Sequence, residues 1–232
     1  MRLPRPAALA LLALTALAAL PALAQKAPSA AVQAGKLLRQ GHRGEAIELL
    51  GRAPAQDGEA RYLLAALLTE ERRAGRVCES DAYRSSIVLR LDEAIAADAS
   101  LRARALRDGR FAIIHDTLGW QRLLGRSPAR VADVPELLSR VTFHGPPQGI
   151  FGSSSMLDFL PGGRVQGWKS VWDEKAGRPK HMAISGGYRV EGRKVTVNLG
   201  KGEVWSGELN TDGILEITDQ GNFRDEPDEC DA

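Results

Sequence analysis

Gly187-Tyr-Arg-Val-Glu-Gly-Arg-Lys-Val-Thr-Val-Asn-Leu199 decides the fold of the C-terminal half. Tyr188 and Val190 point one way and Arg189 the other; Val195 and Val197 share a face opposite Thr196. That period of two describes strands with one buried face. Gly192, between Glu191 and Arg193, supplies the positive φ that a tight hairpin turn needs. The pattern repeats in both directions. Met156–Leu160 and Arg164–Trp172 flank Pro161-Gly162-Gly163, and Val204–Leu209 and Ile214–Thr218 flank Asn210-Thr211-Asp212-Gly213. With Arg140–Phe143 before and Phe223 after, about seven strands joined by hairpins are expected, as an antiparallel meander or small open barrel.

Upstream the composition is different. From Gln25 to Arg140 there are 21 Ala and 9 Gly, whereas from Val141 to Ala232 there are 3 Ala and 15 Gly. Ala favours helix, and frequent Gly between aromatic and β-branched residues marks strands and turns. The expected fold class is therefore α+β, with helical hairpins first and the β region after. Ser127-Pro128 and Pro135 punctuate the join, which divides the chain into residues 25–130 and 131–232. Helical spacing of apolar residues predicts helices leading into and out of Gly41, then Glu59–Arg73, Asp81–Ala97, Leu101–Arg107 and Phe111–Leu124.

Gly35-Lys-Leu-Leu-Arg-Gln-Gly41-His-Arg-Gly-Glu-Ala46-Ile-Glu-Leu-Leu50-Gly-Arg-Ala53 resembles a tetratricopeptide repeat in degenerate form. Gly41 takes the inter-helix turn, Ala46 the tight helix contact, and Leu50 and Ala53 the packing face. Leu91-Asp-Glu-Ala94-Ile-Ala-Ala-Asp98 is similar to the end of such a repeat's second helix, so the resemblance covers about residues 31–105. It departs from the pattern in lacking the closing Pro of each unit and in the insert Ala74–Asp81. The resemblance implies paired antiparallel helices and a role in holding another protein. The β region is faintly lipocalin-like in its run of hairpins.

Residues 1–24 carry Arg2 and Arg5, an apolar run from Ala7 to Leu20, the helix-breaking Pro21 and Ala22-Leu23-Ala24. This order describes an export signal cleaved after Ala24. The apolar run makes about 21 Å of helix, short of a bilayer core. The expected destination is the periplasm or the extracellular space, without stable membrane insertion afterwards. Without Arg2 and Arg5 the chain has 29 Lys+Arg against 29 Asp+Glu. A balanced chain gives no broad electrostatic reason to bind nucleic acid.

No stretch carries a recognisable reaction centre. His42, His115, His144 and His181 lack the spacing that places two imidazoles on one helical face around zinc. Ser153-Ser154-Ser155 lacks a nucleophile elbow and reads as polar loop. Asp225, Glu226, Asp228, Glu229 and Asp231 read as a solvated acidic tail rather than a calcium loop. No cofactor and no metal are expected. Cys78 and Cys230 are the chain's 2 cysteines, and an oxidising compartment favours an intramolecular disulfide between them. Trp168 and Trp172 lie four apart on one strand and so share a face. Trp205, with Tyr188 nearby, is expected to join them from a neighbouring strand, as barrel core or as a ligand-facing aromatic surface.

These features favour an exported, non-catalytic protein-interaction or adaptor module with an unknown protein partner in the cell envelope. The alternative is a binder of a small apolar or carbohydrate ligand in the aromatic-rich β region. An enzyme with dispersed active-site residues is the third reading.

Overall fold

Two helical hairpins open the computed structural model, which describes residues 28–148, 153–200 and 202–225. The expected export signal and Cys230 lie outside the described residues. Helix α1 (Ala30–Arg39) starts where the Ser29 side chain accepts the Val32 N–H, and it turns at Gly41, φ +82°, into α2 (Arg43–Gly51). Helix α3 (Gly58–Arg73) is capped by Asp57 and packs beside α4 (Arg84–Ala97). Both α1 and α2 also touch α3. Eleven of the sixteen α3 residues are buried, so this helix forms the centre of the helical layer and not a free face.

The rest of the helical region covers α3. After the short α5 (Leu101–Ala105), residues Gly109–Ile114 form a 3₁₀ segment against it. The Phe111 ring meets Tyr62 edge-on at 5.6 Å. The Tyr62 hydroxyl donates to Asp108 at 2.8 Å, and burial together with that carboxylate pushes the phenol up to about 12. Three expected helices are shorter than read, α5 ending at Ala105 and not at Arg107. Residues 81–83 precede α4 as a turn, with Asp81 at φ +50°. The span expected as Phe111–Leu124 breaks at Thr117, whose hydroxyl accepts the Trp120 N–H and starts α6 (Leu118–Leu123). Such a cap supplies a new helix with one of its missing acceptors, so the apolar periodicity ran across a break it could not reveal.

A buried carboxylate fastens the hairpins together. Glu71 on α3 is almost fully enclosed and accepts from Arg43 on α2 and from Arg76 in the following turn. The bond from Arg76, then that from Arg43, holds Glu71 down at about 2, against the opposing effect of burial. Removal from water is costly for a charge unless donors surround it, and here two guanidinium groups do so.

Helix α7 (Val134–Arg140) lies in the stretch expected to lead directly into strands. Pro135 sits in its first turn, where a missing N–H costs nothing. It packs on the sheet and contributes Val134, Leu137 and Leu138 to the β core.

Eight strands follow: β1 (Thr142–Gln148), β2 (Ser153–Leu160), β3 (Arg164–Asp173), β4 (Arg178–Glu191), β5 (Lys194–Asn198), β6 (Val204–Leu209), β7 (Leu215–Ile217) and β8 (Gly221–Phe223). Each pairs antiparallel with the next in chain order. The expected meander is therefore present, and it is nearly closed. At the seam His144 and Arg224 exchange both backbone hydrogen bonds, at 2.6 and 2.8 Å. Phe143, Phe159, Trp205 and Phe223 fill the interior with Leu157, Val197 and Leu215. Gly167, Gly186 and Gly207 mark places where a Cβ would collide with a carbonyl oxygen of the neighbouring strand. These are the tight bends that curl an open sheet into a small barrel.

The helices sit at one end of the barrel. Arg193 donates to the Ala129 carbonyl and Arg122 to that of Asp212. Asp225 accepts the Leu118 N–H through its side chain at 2.7 Å, and its own carbonyl accepts from Arg84. Asp225 is thus pinned at the helix–barrel junction, unlike the solvated tail expected of it. Among the described residues no helix is long and apolar enough to cross a membrane.

Candidate functional site

The sheet alternation separates the four aromatic residues that the sequence grouped together. Gly167 pairs with Ile184 and Trp168 with Ala183, while Tyr188 pairs with Val197 and Val197 with Trp205. Followed through these registers, Trp205 and Tyr188 lie on the inner face, whereas Trp168 and Trp172 lie on the outer one. Trp205 is buried in the core, and Tyr188 lies edge-on to Phe159 at 4.9 Å. The expectation that Trp205 and Tyr188 join the other two is therefore corrected. A readable signal was present: Arg164, Gln166 and Ser170 alternate with the two Trp residues, and that polar company marks a solvent-facing side.

On the outer face Trp168 stands opposite Met156 on β2 and Ala183 on β4. Its ring meets His181 edge-on at 4.9 Å, and Ser170 Oγ lies 3.0 Å from His181 Nδ1. One step further, Trp172 faces Pro179 and is 38% exposed. Together these side chains make an aromatic ridge.

The ridge runs onto a ribbon that outgrows the barrel. Strand β2 pairs with β3 as far as Ser155↔Lys169, and β5 pairs with β4 only from Gly187 onward. Strands β3 and β4 nevertheless stay paired with each other out to Asp173↔Arg178. Among the described residues, no third strand borders β3 over 170–173 or β4 over 178–185. Nearly all of β4 before Gly186 is exposed, with Ile184 alone buried.

At the ribbon's base the barrel mouth is polar inside. Lys169 Nζ and Trp205 Nε1 both donate to Glu203 Oε1 at 3.1 Å. Ser155, expected in a loop, belongs to β2, and its buried Oγ has no hydrogen-bond partner. It occupies space left by Gly145, where a side chain would collide with it and with Phe223. Lys169 and Glu203 thus form an ion pair beside the Trp205 indole edge.

The described residues also line two concavities. One, of about 450 Å³, is shallow and polar, formed by Arg189, Lys194, Thr196 and Asn198 around the bare Gly163 and Gly187. The other, of about 290 Å³, lies at the helix–barrel junction between Val88, Leu118, Asp92, Arg122 and Asp212. Burial raises the Asp92 carboxyl there, against the opposing charges of Arg122 and Arg102. Among the described residues no group of three or more His, Cys, Asp or Glu side chains is placed to hold a metal ion. Of the cysteines, Cys78 lies between α3 and α4, and no described cysteine is a free thiol.

The chain matches no protein-family model, no curated protein and no solved structure.

Proposed function

We propose that the chain is an exported, non-catalytic protein-interaction module whose contact surface is the aromatic outer face of the β3–β4 ribbon. One observation carries this reading. The barrel buries Phe143, Phe159, Trp205 and Phe223, yet leaves Trp172 on the outer face of the projecting hairpin and Trp168 and Met156 on the outer barrel wall at its base. Trp and Met are enriched where proteins meet, and a ridge of them on a paired, semi-rigid ribbon is well suited to anchor a partner. Support also comes from the resemblance of residues 31–105 to tetratricopeptide repeats. Export rests on residues 1–24, and it places the partner in the cell envelope.

A photo-crosslinking amino acid placed at Trp172, and in parallel at the exposed Val32 of α1, tests the reading in an envelope fraction. Discrete protein adducts from position 172 and none from position 32 are expected. No adduct at 172, or the same adducts from both positions, would overturn it. The two outer Trp residues also suit a carbohydrate, since four strand residues separate them by about 13 Å on one face. Saturable quenching of Trp fluorescence by soluble oligosaccharides, lost in Trp172→Ala, would favour that second reading.

A further inference from the structure

We propose that the open edge of β4 takes an extended partner segment bearing acidic residues at alternate positions, adding a strand beside β4. This rests on the interaction reading above and names the kind of partner it serves. The backbone supplies the first part of the argument. Tyr188 donates its N–H to Gly163 on the β3 side. Backbone groups alternate along a strand, so the even-numbered residues of β4 face β3 and the odd-numbered ones face outward. Where β5 is present, the outward residues Gly187, Arg189 and Glu191 stand opposite Asn198, Thr196 and Lys194. Before Gly187 the same row continues as Ser185, Ala183, His181 and Pro179, with no strand beside it among the described residues. Pro179 falls in that outward row, the one place in a paired ribbon where a missing N–H breaks no ladder bond. Three donors remain, on His181, Ala183 and Ser185.

Charge decides what can lie there. The segment 178–186 carries Arg178 and Lys180 and no carboxylate. Both cations are exposed and, two residues apart, stand on one face of the ribbon. A second copy pairing edge to edge would bring further cations and no carboxylate, so it gains no charge complementarity. An acidic strand supplies it. Side chains of adjacent strands share faces, so acids at every second position meet Arg178 and Lys180. The intervening residues then lie on the face of Pro179, Ala183 and Trp172. Apolar residues suit those positions. This is strand addition, with backbone bonds giving affinity and alternate side chains giving selectivity.

The test uses the full chain and three capped octapeptides: alternating Glu-Val, alternating Lys-Val, and the Glu-Val sequence with alternate backbone nitrogens methylated. Backbone amide shifts and hydrogen exchange are read by NMR. The Glu-Val peptide should shift and protect the amides of His181, Ala183 and Ser185, and the other two peptides should not. Ala183→Pro removes the central outward donor without touching the β3 ladder and should weaken binding about tenfold. Arg178→Glu with Lys180→Glu should reverse the preference towards Lys-Val. Equal binding of Lys-Val or of the methylated peptide, protection mapping away from β4, or binding unmoved by Ala183→Pro would each overturn the proposal. Position-172 adducts that form while the Glu-Val peptide fails to bind would leave the interaction module standing and reject the edge as its contact. Loss of both would reject both.

Discussion

Gly167 lies directly under the carbonyl of Met156, where a Cβ would collide with that oxygen. The bend there brings two strand backbones closer than any side chain allows. Gly167→Ala should therefore cost about 3 kcal/mol, since the obstacle is backbone and not the end of a flexible chain. Gly35→Ala in α1 is the matched control. Its Cβ would make only an ordinary contact with Arg39, at 3.7 Å. It should raise stability by about 0.5–1 kcal/mol, by removing glycine freedom from a helix. Urea midpoints of the two variants, moving in opposite directions, check the pair.

Glu71 makes stability depend on acid pH. Its folded pKa, about 2, lies below the ordinary 4.5. The unfolded chain therefore takes up this proton first, and the stabilisation is complete above about pH 4.5 and lost as pH falls towards 2. Glu71→Gln should cost about 2–3 kcal/mol at neutral pH, because Arg43 and Arg76 lose a charged acceptor. The variant's disadvantage should shrink on acidification, which urea titrations at about pH 6 and about pH 3 would show. A constant difference between the two conditions would contradict the assignment.

The two faces of the β region should respond differently to truncation. Trp205→Ala empties part of a packed interior and should cost about 3–5 kcal/mol. Trp172→Ala, on the outer face, should change stability by less than about 1 kcal/mol. Under the proposed function, Trp172→Ala also lowers partner binding in the same preparation that shows a native unfolding curve.

Pairing of Cys78 with Cys230 would tie the C-terminal segment to the turn between α3 and α4. Unreduced monomer should weigh two hydrogen masses less than the reduced chain and take up no thiol label. Chain entropy sets an upper stabilisation of about 5 kcal/mol for so long a loop, so reduction should lower the unfolding midpoint clearly. Two labelled thiols in unreduced monomer would refute the pairing.

The strands were readable because burial on one face leaves a period of two, as in Val195, Thr196 and Val197. Gly192 and Gly213 then marked the turns. What stayed hidden depends on register. The sequence places Trp168 with Trp172, but only cross-strand pairing shows that Tyr188 and Trp205 face the opposite way. Helix α7 was missed because seven residues are too short for a clear helical period beside a Pro. The projecting ribbon was equally invisible. The first arm reads as a strand through Trp172, but the second reads as one only from Gly187. Residues 178–186 of β4 thus went unread, and the excess length exists only in relation to where β2 and β5 stop pairing. The Glu71 cluster joins residues from α2, α3 and the turn after it, a proximity that no local spacing encodes.

The seam has a consequence for how the molecule is assembled. His144 and Arg224 come together across most of the β region, and Asp225, the next residue, is the one that holds α6 and Arg84. Every other strand pair closes over a short hairpin, so this joint carries the largest loop-closure cost in the sheet. During synthesis the eight strands can zip in order while the barrel stays a curled open sheet. Closure waits for Arg224, and the same few residues then clamp the helices to the barrel. Arg224 and Asp225 thus join two half-finished layers into one cooperative unit.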